Sequence, residues 1–142
     1  MLWRRSRFTY DVTDYTTELP VRAWNYRTPT VGGSRKSATG VPASYVMRRE
    51  DILVVTLRFH EWDWLTVRAL VVWGQAAEPF DWFPDADEAT SYEVYLESPA
   101  AGTDIVPTRL SDFPRVLELT IEIRKVDGTP WDVEYWPDED AS

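Results

Sequence analysis

Hydrophobic and polar residues alternate along much of this chain, a pattern typical of half-buried β-strands. The clearest run is "RVLELTIEIRKV". One face of this strand would be aliphatic, with Leu117, Leu119, Ile121 and Ile123. The other would be polar, with Glu118, Thr120, Glu122 and Arg124. In "ILVVTLRF", Leu53, Val55, Leu57 and Phe59 form a core face, and the opposite face is predicted to be partly covered.

Further strands are predicted on both sides of these two runs. "LWRRSRFTY" is a first strand, with Trp3 and Phe8 on opposite faces, and "WNYRT" at residues 24–28 is a second. "SYVM" precedes "ILVVTLRF" across a turn at "RRED". "EPFDWF" and "TSYEVYLES" are separated by the acidic turn "PDADEA", and "WDVEYW" follows the turn "DGTP".

One helix is predicted, from Glu61 to about Trp73, with Gly74 as its left-handed stop. Glu61 and Asp63 would lie in its first turn, where acids favour the helix dipole. An apolar stripe at helical spacing contains Trp62, Leu65, Ala69 and Val72, and an adjoining face contains Trp64, Val67 and Val71. The helix is therefore expected to be buried on most sides, by the sheet or by a neighbouring subunit.

Seven or eight strands and one helix predict a mainly β fold: an antiparallel β-sandwich or split barrel flanked by one α-helix. The length of 142 residues favours one domain, residues 1–142. The segment 28–44 is rich in Gly, Ser, Thr and Pro and is predicted to be a long flexible loop. The acidic tail 137–142 is predicted to be mobile.

Composition excludes several classes of protein. There is no cysteine, so neither disulfides nor thiolate metal sites are available. No apolar run approaches the roughly 18 residues that a membrane span needs, and the N-terminus does not have the pattern of a secretory signal. We therefore expect that the protein does not insert into a membrane and that it is assembled in a cytoplasm.

The net charge of −9 is unevenly distributed. Residues 1–50 carry nine basic and four acidic side chains, a net of +5, and residues 51–142 carry six and twenty, a net of −14; together these give −9. An acidic chain binds nucleic acid poorly. Opposite charges on two parts of one chain suit head-to-tail or ring assembly, and a solvated acidic surface is the alternative.

Sites for catalysis or metal binding are weakly indicated. His60, the only histidine, stands between a strand and the helix, where a general base or a filler of the junction would fit. Asp85, Asp87 and Glu88 resemble part of a calcium loop but lack its glycine and its third alternate acid. Twenty acids in 92 residues would also bring some carboxylate pair to glycosidase spacing by chance. We expect no enzymatic activity and no cofactor, and a small hydrolase is the weakest of the alternatives.

Aromatic residues make up 14% of the chain and include eight tryptophans. Exposed rings bind sugars, and large rings also dominate cores and protein interfaces. Trp131 and Trp136 would lie on opposite faces of the last strand, so at least one is expected outside a simple core. Because the tryptophans are scattered along the chain, an oligomer interface is favoured over a sugar site. A carbohydrate-binding β-sandwich module is the alternative.

Read in order, "LVVTLRF", "HEWDWLTVRALVVWGQ", "PFDWFPD", "SYEVYLESP" and "RVLELTIEIRKVDG" resemble the small tail proteins of long-tailed phages. The similarity is to the distal tail, or minor tail, proteins built on the tail-tube fold. It covers about residues 45–136, with Leu2–Tyr10 as a plausible first strand, and rests on element order and side-chain character. Unlike the larger distal tail proteins, this chain has no second, peripheral domain, so the resemblance does not extend to holding receptor-binding proteins.

The resemblance implies a virion structural protein of the tail, assembled in the host cytoplasm. It implies a homo-oligomer, a hexameric ring that contacts the tail tube protein and the tail tip or hub proteins, with DNA passing through its lumen without specific binding. The subunit interface is predicted to include Arg35, Lys36, Arg48, Arg49, Trp64, Trp131 and Trp136. Acids predicted to line the lumen are Asp85, Asp87, Glu88, Asp104, Asp112, Glu118 and Glu122.

Overall fold

The computed structural model describes residues 1–25, 51–112, 115–131 and 136. Within those ranges the strands are β1 (Leu2–Trp3), β2 (Arg7–Tyr10), β3 (Thr13–Thr16), β4 (Val21–Asn25), β5 (Leu53–His60), β6 (Phe80–Phe83), β7 (Tyr92–Ser98), β8 (Thr108–Asp112) and β9 (Arg115–Lys125). A 3₁₀ turn (Glu61–Asp63) leads directly into the helix α1 (Trp64–Gln75).

The strands form one open antiparallel sheet in the order β1-β4-β5-β9-β7-β6-β2-β3, and β8 pairs with the start of β9. The predicted fold class, mainly β and antiparallel with one flanking helix, is confirmed. β9 is the longest strand and pairs with β5 along one edge and with β7 and β8 along the other.

The two ends of the sheet share one hydrophobic core. Trp3 on β1 lies edge-on to Trp82 on β6, with ring centroids 5.5 Å apart. Between β1 and β2, the Ser6 amide donates to Thr17 Oγ1 at 2.9 Å and the Ser6 hydroxyl donates to the Pro84 carbonyl at 2.7 Å. Because Ser6 is fully buried, these bonds satisfy polar groups that would otherwise be costly to bury.

The register of β5 and β9 confirms the alternation that the sequence predicts. Leu57 pairs with Leu119 and Val55 with Ile121, and all four side chains are buried in the core. On the opposite face, Arg58 pairs with Glu118. The second face of β5 is partly covered, as predicted, since Val54 and Thr56 are also buried.

Several strand predictions need correction. Trp3 and Phe8 belong to the same core, because the chain bends between β1 and β2 instead of continuing as one strand. The strand predicted at residues 24–28 overlaps β4, which begins earlier, at Val21, and residues 26–28 lie outside the described residues. β3 and β8 were not predicted, because β3 has one buried residue and β8 has none.

The helix buries the adjoining face that contains Val67 and Val71, and not the stripe that the sequence predicted as its main apolar face. Val67, Leu70 and Val71 are buried, whereas the predicted main stripe points to solvent. The prediction that the helix is buried on most sides is therefore wrong for this chain by itself. The periodicity located an apolar stripe, but it could not determine which side the sheet covers.

Gly74 is not the left-handed stop of the helix. It lies inside α1, and Ala77, with φ of 65°, adopts the left-handed conformation after the helix. A Cβ at Gly74 would lie 2.7 Å from the Cβ of Leu96 on β7. Glycine is needed here so that helix and sheet can approach closely.

Three sequence predictions concern segments outside the described residues. These are the loop 28–44, the strand "SYVM" and the tail 137–142. The interior of "WDVEYW", residues 132–135, also lies outside them.

Candidate interaction surface and aromatic pocket

The exposed side of α1 and its leading turn carries a row of apolar side chains. We call Trp62, Leu65, Ala69 and Val72 the helix stripe. The side chains of Trp62, Leu65 and Val72 are 62%, 76% and 44% exposed. Contiguous apolar surface is uncommon on soluble monomers and marks an interaction site or an aggregation risk.

The 3₁₀ turn orients the first residue of the stripe. Trp62 donates a hydrogen bond from Nε1 to Glu18 Oε1 at 3.2 Å, and Glu18 lies on the connection between β3 and β4. His60 Nδ1 is 3.5 Å from the same carboxylate oxygen. His60 occupies the position before the turn and makes no capping bond, as expected for a residue that fills the junction.

Charged residues beside the helix stripe are few. Glu61 forms an ion pair with Arg115 of β9 at 3.3 Å. Arg68 is exposed on α1, and none of the ion pairs among the described residues includes it. The stripe is therefore an apolar surface flanked by the acids Glu18 and Glu61 and by the exposed Arg68.

Titratable groups meet beneath the start of the helix. Burial raises the pKa of the Asp63 carboxyl, and the neighbouring Glu18 carboxylate raises it further. The hydrogen bond from Trp62 lowers the pKa of Glu18. Burial, together with the charges of Asp63 and Glu18, raises the pKa of the Tyr15 hydroxyl.

This cluster offers no clear chemistry for catalysis. Tyr15 Oη, His60 Nδ1 and Asp63 Oδ2 are buried and make no hydrogen bond. Across the described ranges, no group of three or more His, Cys, Asp or Glu side chains could hold a metal ion. The contacts of Glu18 join the β3–β4 connection to the start of the helix and fix the position of Trp62, the first residue of the helix stripe.

A second feature is a cluster of five aromatic rings at the other side of the core. Its members are Trp3, Trp82, Tyr92, Trp131 and Trp136, with ring centroids 5.2–6.3 Å apart. Trp131 also donates from Nε1 to the Asp51 carbonyl at 3.0 Å. Most of these pairs are edge-to-face or tilted, the arrangements that aromatic quadrupoles favour.

A cavity of about 330 Å³ opens between this cluster and the acidic turn after β6. We call it the aromatic pocket; its lining residues are Trp3, Pro84, Asp85, Glu88, Thr90, Tyr92 and Trp136. Asp85 Oδ1 accepts the Asp87 amide at 2.9 Å, and the Asp85 carbonyl accepts the Glu88 amide at 3.0 Å. The turn thus holds two carboxylates beside three rings.

The tryptophans predicted at the subunit interface lie mainly inside the subunit. Trp131 is buried, and Trp136 is partly buried in the same cluster, so the prediction of opposite faces is wrong. Trp64 stacks on Phe59 with centroids 6.0 Å apart, and the ring that the helix exposes is Trp62. Arg35, Lys36, Arg48 and Arg49 lie outside the described residues.

The structure separates the predicted lumen acids into groups. Asp85, Asp87 and Glu88 share one turn, whereas Glu118 and Glu122 share the outer face of β9. Asp104 is exposed in the segment between β7 and β8, and Asp112 ends β8.

Three of these acids have an arginine partner. Asp87 pairs with Arg5 at 2.7 Å, Glu118 with Arg58 at 3.0 Å, and Asp112 with Arg109 at 3.6 Å. These pairs reduce the negative potential that the acids alone would produce.

Sequence reasoning missed Glu18 and Tyr92 as members of these two features. Glu18 is 44 residues from Trp62, and no local pattern connects the two. Tyr92 is the first residue of β7, and the sequence around it predicted only a strand. The one available signal was composition, since an aromatic-rich chain must place several rings together.

No family model, curated protein or solved structure matches this chain. Within the described ranges, no helix is long and apolar enough to span a membrane.

Proposed function

We propose that this protein is a structural subunit of a phage tail, a distal tail ring component that joins the tail tube to the tail tip around a DNA channel. The helix stripe is the observation that carries the proposal. It leaves the largest side chain of the stripe, Trp62, mostly exposed in the isolated subunit. Tryptophan is among the residues enriched at the energetic centres of interfaces.

The occupant that we propose for the stripe is a second copy of this chain. A ring of identical subunits needs two different surfaces that fit each other head to tail. The helix stripe offers one of these surfaces, and the net charges of +5 in residues 1–50 and −14 in residues 51–142 supply opposite charges for the contact. Opposite charges on the two contacting surfaces would orient the copies as they meet.

The negative charge also suits a conduit for DNA. A wall of like charge repels phosphate, and at about 0.15 M salt this repulsion acts over about 8 Å. Glu88 and Asp104 are exposed, and no ion pair among the described residues includes them. We therefore rank these two above the arginine-paired Asp87, Asp112 and Glu118 as candidates for the lumen wall.

Carbohydrate binding, the alternative function, has less support from the exposed rings. A sugar platform needs ring faces that lie together on one surface. Trp24 is about half exposed on β4, and Trp62 lies before α1, on a different element. Trp62 is also engaged with His60 and Glu18.

Native mass spectrometry and sedimentation velocity test the proposal. We expect a wild-type species near six copies, and we expect Leu65→Asp to shift it to the monomer. Val106→Asp is the matched control, because Val106 is 74% exposed, nearly as exposed as Leu65, and does not belong to the helix stripe. Wild-type protein that stays monomeric at high concentration would count against the ring, as would equal effects of both substitutions.

Electron microscopy supplies the second test. Negatively stained particles should show a ring with a central channel, and a map should place acidic side chains on its wall. A wall formed mainly by arginine and lysine would contradict the DNA-conduit role. Asp104→Lys should then leave the ring intact and slow DNA ejection from virions that carry it.

A further inference from the structure

We propose that the aromatic pocket binds a guanidinium group, the side chain of an arginine supplied by another polypeptide. This inference does not depend on the ring, because the pocket lies within one subunit. It rests on the volume of the cavity, on the rings of its wall and on the two carboxylates at its edge.

The wall of the pocket presents rings at several inclinations. The planes of Trp3 and Trp136 are inclined by 70° with centroids 5.2 Å apart, and those of Tyr92 and Trp136 by 55° with centroids 6.0 Å apart. A cation within about 6 Å of a ring centroid is attracted by the ring quadrupole, most strongly by tryptophan. A planar guanidinium can also stack on such a ring.

The carboxylates make the pocket suited to a cation. The nearby Arg5 pairs with Asp87, which does not line the pocket, and leaves Asp85 and Glu88 beside the cavity. Glu88 is exposed, and no ion pair in the described part of the chain includes it. A guanidinium has five N–H donors in a planar arrangement that can bind a carboxylate through two parallel hydrogen bonds.

The same aromatic cluster already holds a cation elsewhere. Lys125 Nζ lies 5.3 Å from the ring centroid of Tyr92 and 5.2 Å from that of Trp131. Neither Lys125 nor Trp131 lines the aromatic pocket, so this ammonium lies outside it. Tyr92 belongs to both environments and shows that rings of this cluster are accessible to a positive group.

A neutral sugar suits the pocket less well. The polar groups of the lining side chains are two carboxylates, the hydroxyls of Thr90 and Tyr92 and the indole N–H groups of Trp3 and Trp136, and the two carboxylates are its only charged groups. Both carboxylates attract a cation, and the net charge of −9 adds to that attraction. A neutral sugar can donate hydroxyl hydrogen bonds to these carboxylates, but it lacks the charge–charge attraction that a cation gains.

The test uses the full chain labelled with ¹⁵N and the probe N-acetyl-arginine methylamide. Its binding should move the indole N–H signals of Trp3 and Trp136 in a saturable way. N-acetyl-citrulline methylamide, which has the same shape without the charge, should bind at least about tenfold more weakly, since it cannot form the charge-assisted hydrogen bond. Equal binding of the two probes would overturn the proposal.

Two variants locate the site. Glu88→Gln should weaken binding of the arginine probe about tenfold, the loss expected for one charge-assisted bond. Glu78→Gln should leave it unchanged, because Glu78 is an exposed acid before β6 and does not line the pocket. Loss of affinity in both variants would mean a general charge effect and would overturn the site. Binding of cellobiose or chitobiose with no response to the arginine probe would replace the proposal with carbohydrate recognition.

The source of the arginine is resolved by the same Glu88→Gln variant. If a second copy supplies it, the variant should lose self-association in sedimentation velocity along with probe binding. If a different protein supplies it, the variant should lose probe binding and keep the wild-type oligomeric state. The ring proposal stands or falls separately, on Leu65→Asp.

Discussion

The indole of Trp62 stacks on the imidazole of His60, with ring centroids 4.3 Å apart and planes inclined by 10°. Glu18 accepts the indole N–H, so the ring is held from two sides although it is mostly exposed. An exposed ring that is already fixed loses less side-chain entropy when a partner covers it. The stack therefore prepares the helix stripe for contact.

Trp62→Ala should mainly weaken self-association, whereas Trp64→Ala should mainly destabilise the fold. Trp62→Ala should lower the free energy of unfolding by about 1 kcal/mol, the usual net value of the one hydrogen bond that it donates, and should weaken self-association. Trp64→Ala removes a ring that stacks on Phe59 and should cost roughly 2–3 kcal/mol, somewhat less than a fully buried aromatic. Urea denaturation and sedimentation of both variants check this. A larger stability loss for Trp62 would mean that its role is within the fold.

Asp63→Asn should stabilise the protein at neutral pH. The folded pKa of Asp63 is raised, so ionised Asp63 destabilises the native state above that pKa. Below the ordinary value of about 3.9, Asp63 is protonated in both states and the penalty is absent. The gain in the free energy of unfolding from Asp63→Asn should therefore grow as the pH rises from the ordinary pKa of Asp63 through its raised folded pKa. Urea denaturation at a series of pH values measures this gain.

Glu61→Gln is the control for the helix dipole. Glu61 is also an acid of the first turn, but it is half exposed and paired with Arg115. Its replacement should lower stability slightly at neutral pH, since both the dipole and the ion pair favour the charge. If Asp63→Asn is destabilising to the same degree, the dipole outweighs the burial of Asp63.

Gly74→Ala should destabilise the protein, although alanine favours a helix by about 1 kcal/mol over glycine. The new Cβ would lie 2.7 Å from the Cβ of Leu96, so helix and β7 must move apart. We expect a net loss of roughly 1–3 kcal/mol, the usual range for overpacking. Thermal unfolding measures it.

Leu96→Ala supplies the matching double variant. Alanine keeps its own Cβ but removes the atoms of Leu96 beyond it, which lie 3.0 and 3.3 Å from the added Cβ. The loss in the double variant should be smaller than the sum of the two single losses. Strict additivity would show that the clash is with the Leu96 Cβ and the backbone of β7.

Ile121→Ala should cost roughly 2–5 kcal/mol, because this fully buried side chain lies in the core beside Val55 of the neighbouring strand β5. Glu118→Ala should cost about 1 kcal/mol or less, the usual value of a partly exposed ion pair such as that with Arg58. Guanidinium titration of both variants gives the comparison. Equal losses would indicate that the outer face of β9 is also covered, as in a subunit contact.

The strands that the sequence predicted well are those with one face in the core and the other face in more polar or more exposed surroundings. β5 and β9 lie at the centre of the sheet, and their inward positions match the alternation. β8 is exposed along its whole length and gives no such pattern. A strand that buries no side chain is held mainly by backbone pairing, and backbone pairing does not produce a hydrophobic pattern in the sequence.

The two candidate sites were less predictable than the fold. The aromatic pocket combines Trp3 with Glu88, Tyr92 and Trp136, which come from distant parts of the chain. The helical spacing predicted the residues of the helix stripe, but it did not predict that they would be exposed. Periodicity shows that a helix has an apolar stripe, and it does not show whether the stripe meets the same chain or another one.

By itself, the sequence determined the mainly β class, the single helix in the described chain and the inward faces of β5 and β9. Local alternation and helical spacing are sufficient for these features. Only the tertiary structure decided that α1 turns Val67 and Val71 inward and the helix stripe outward. The physical reason is packing: Val67, Leu70 and Val71 are buried in the core, and Gly74 on the same side of α1 leaves room for Leu96, so Trp62 and Leu65 remain in solvent.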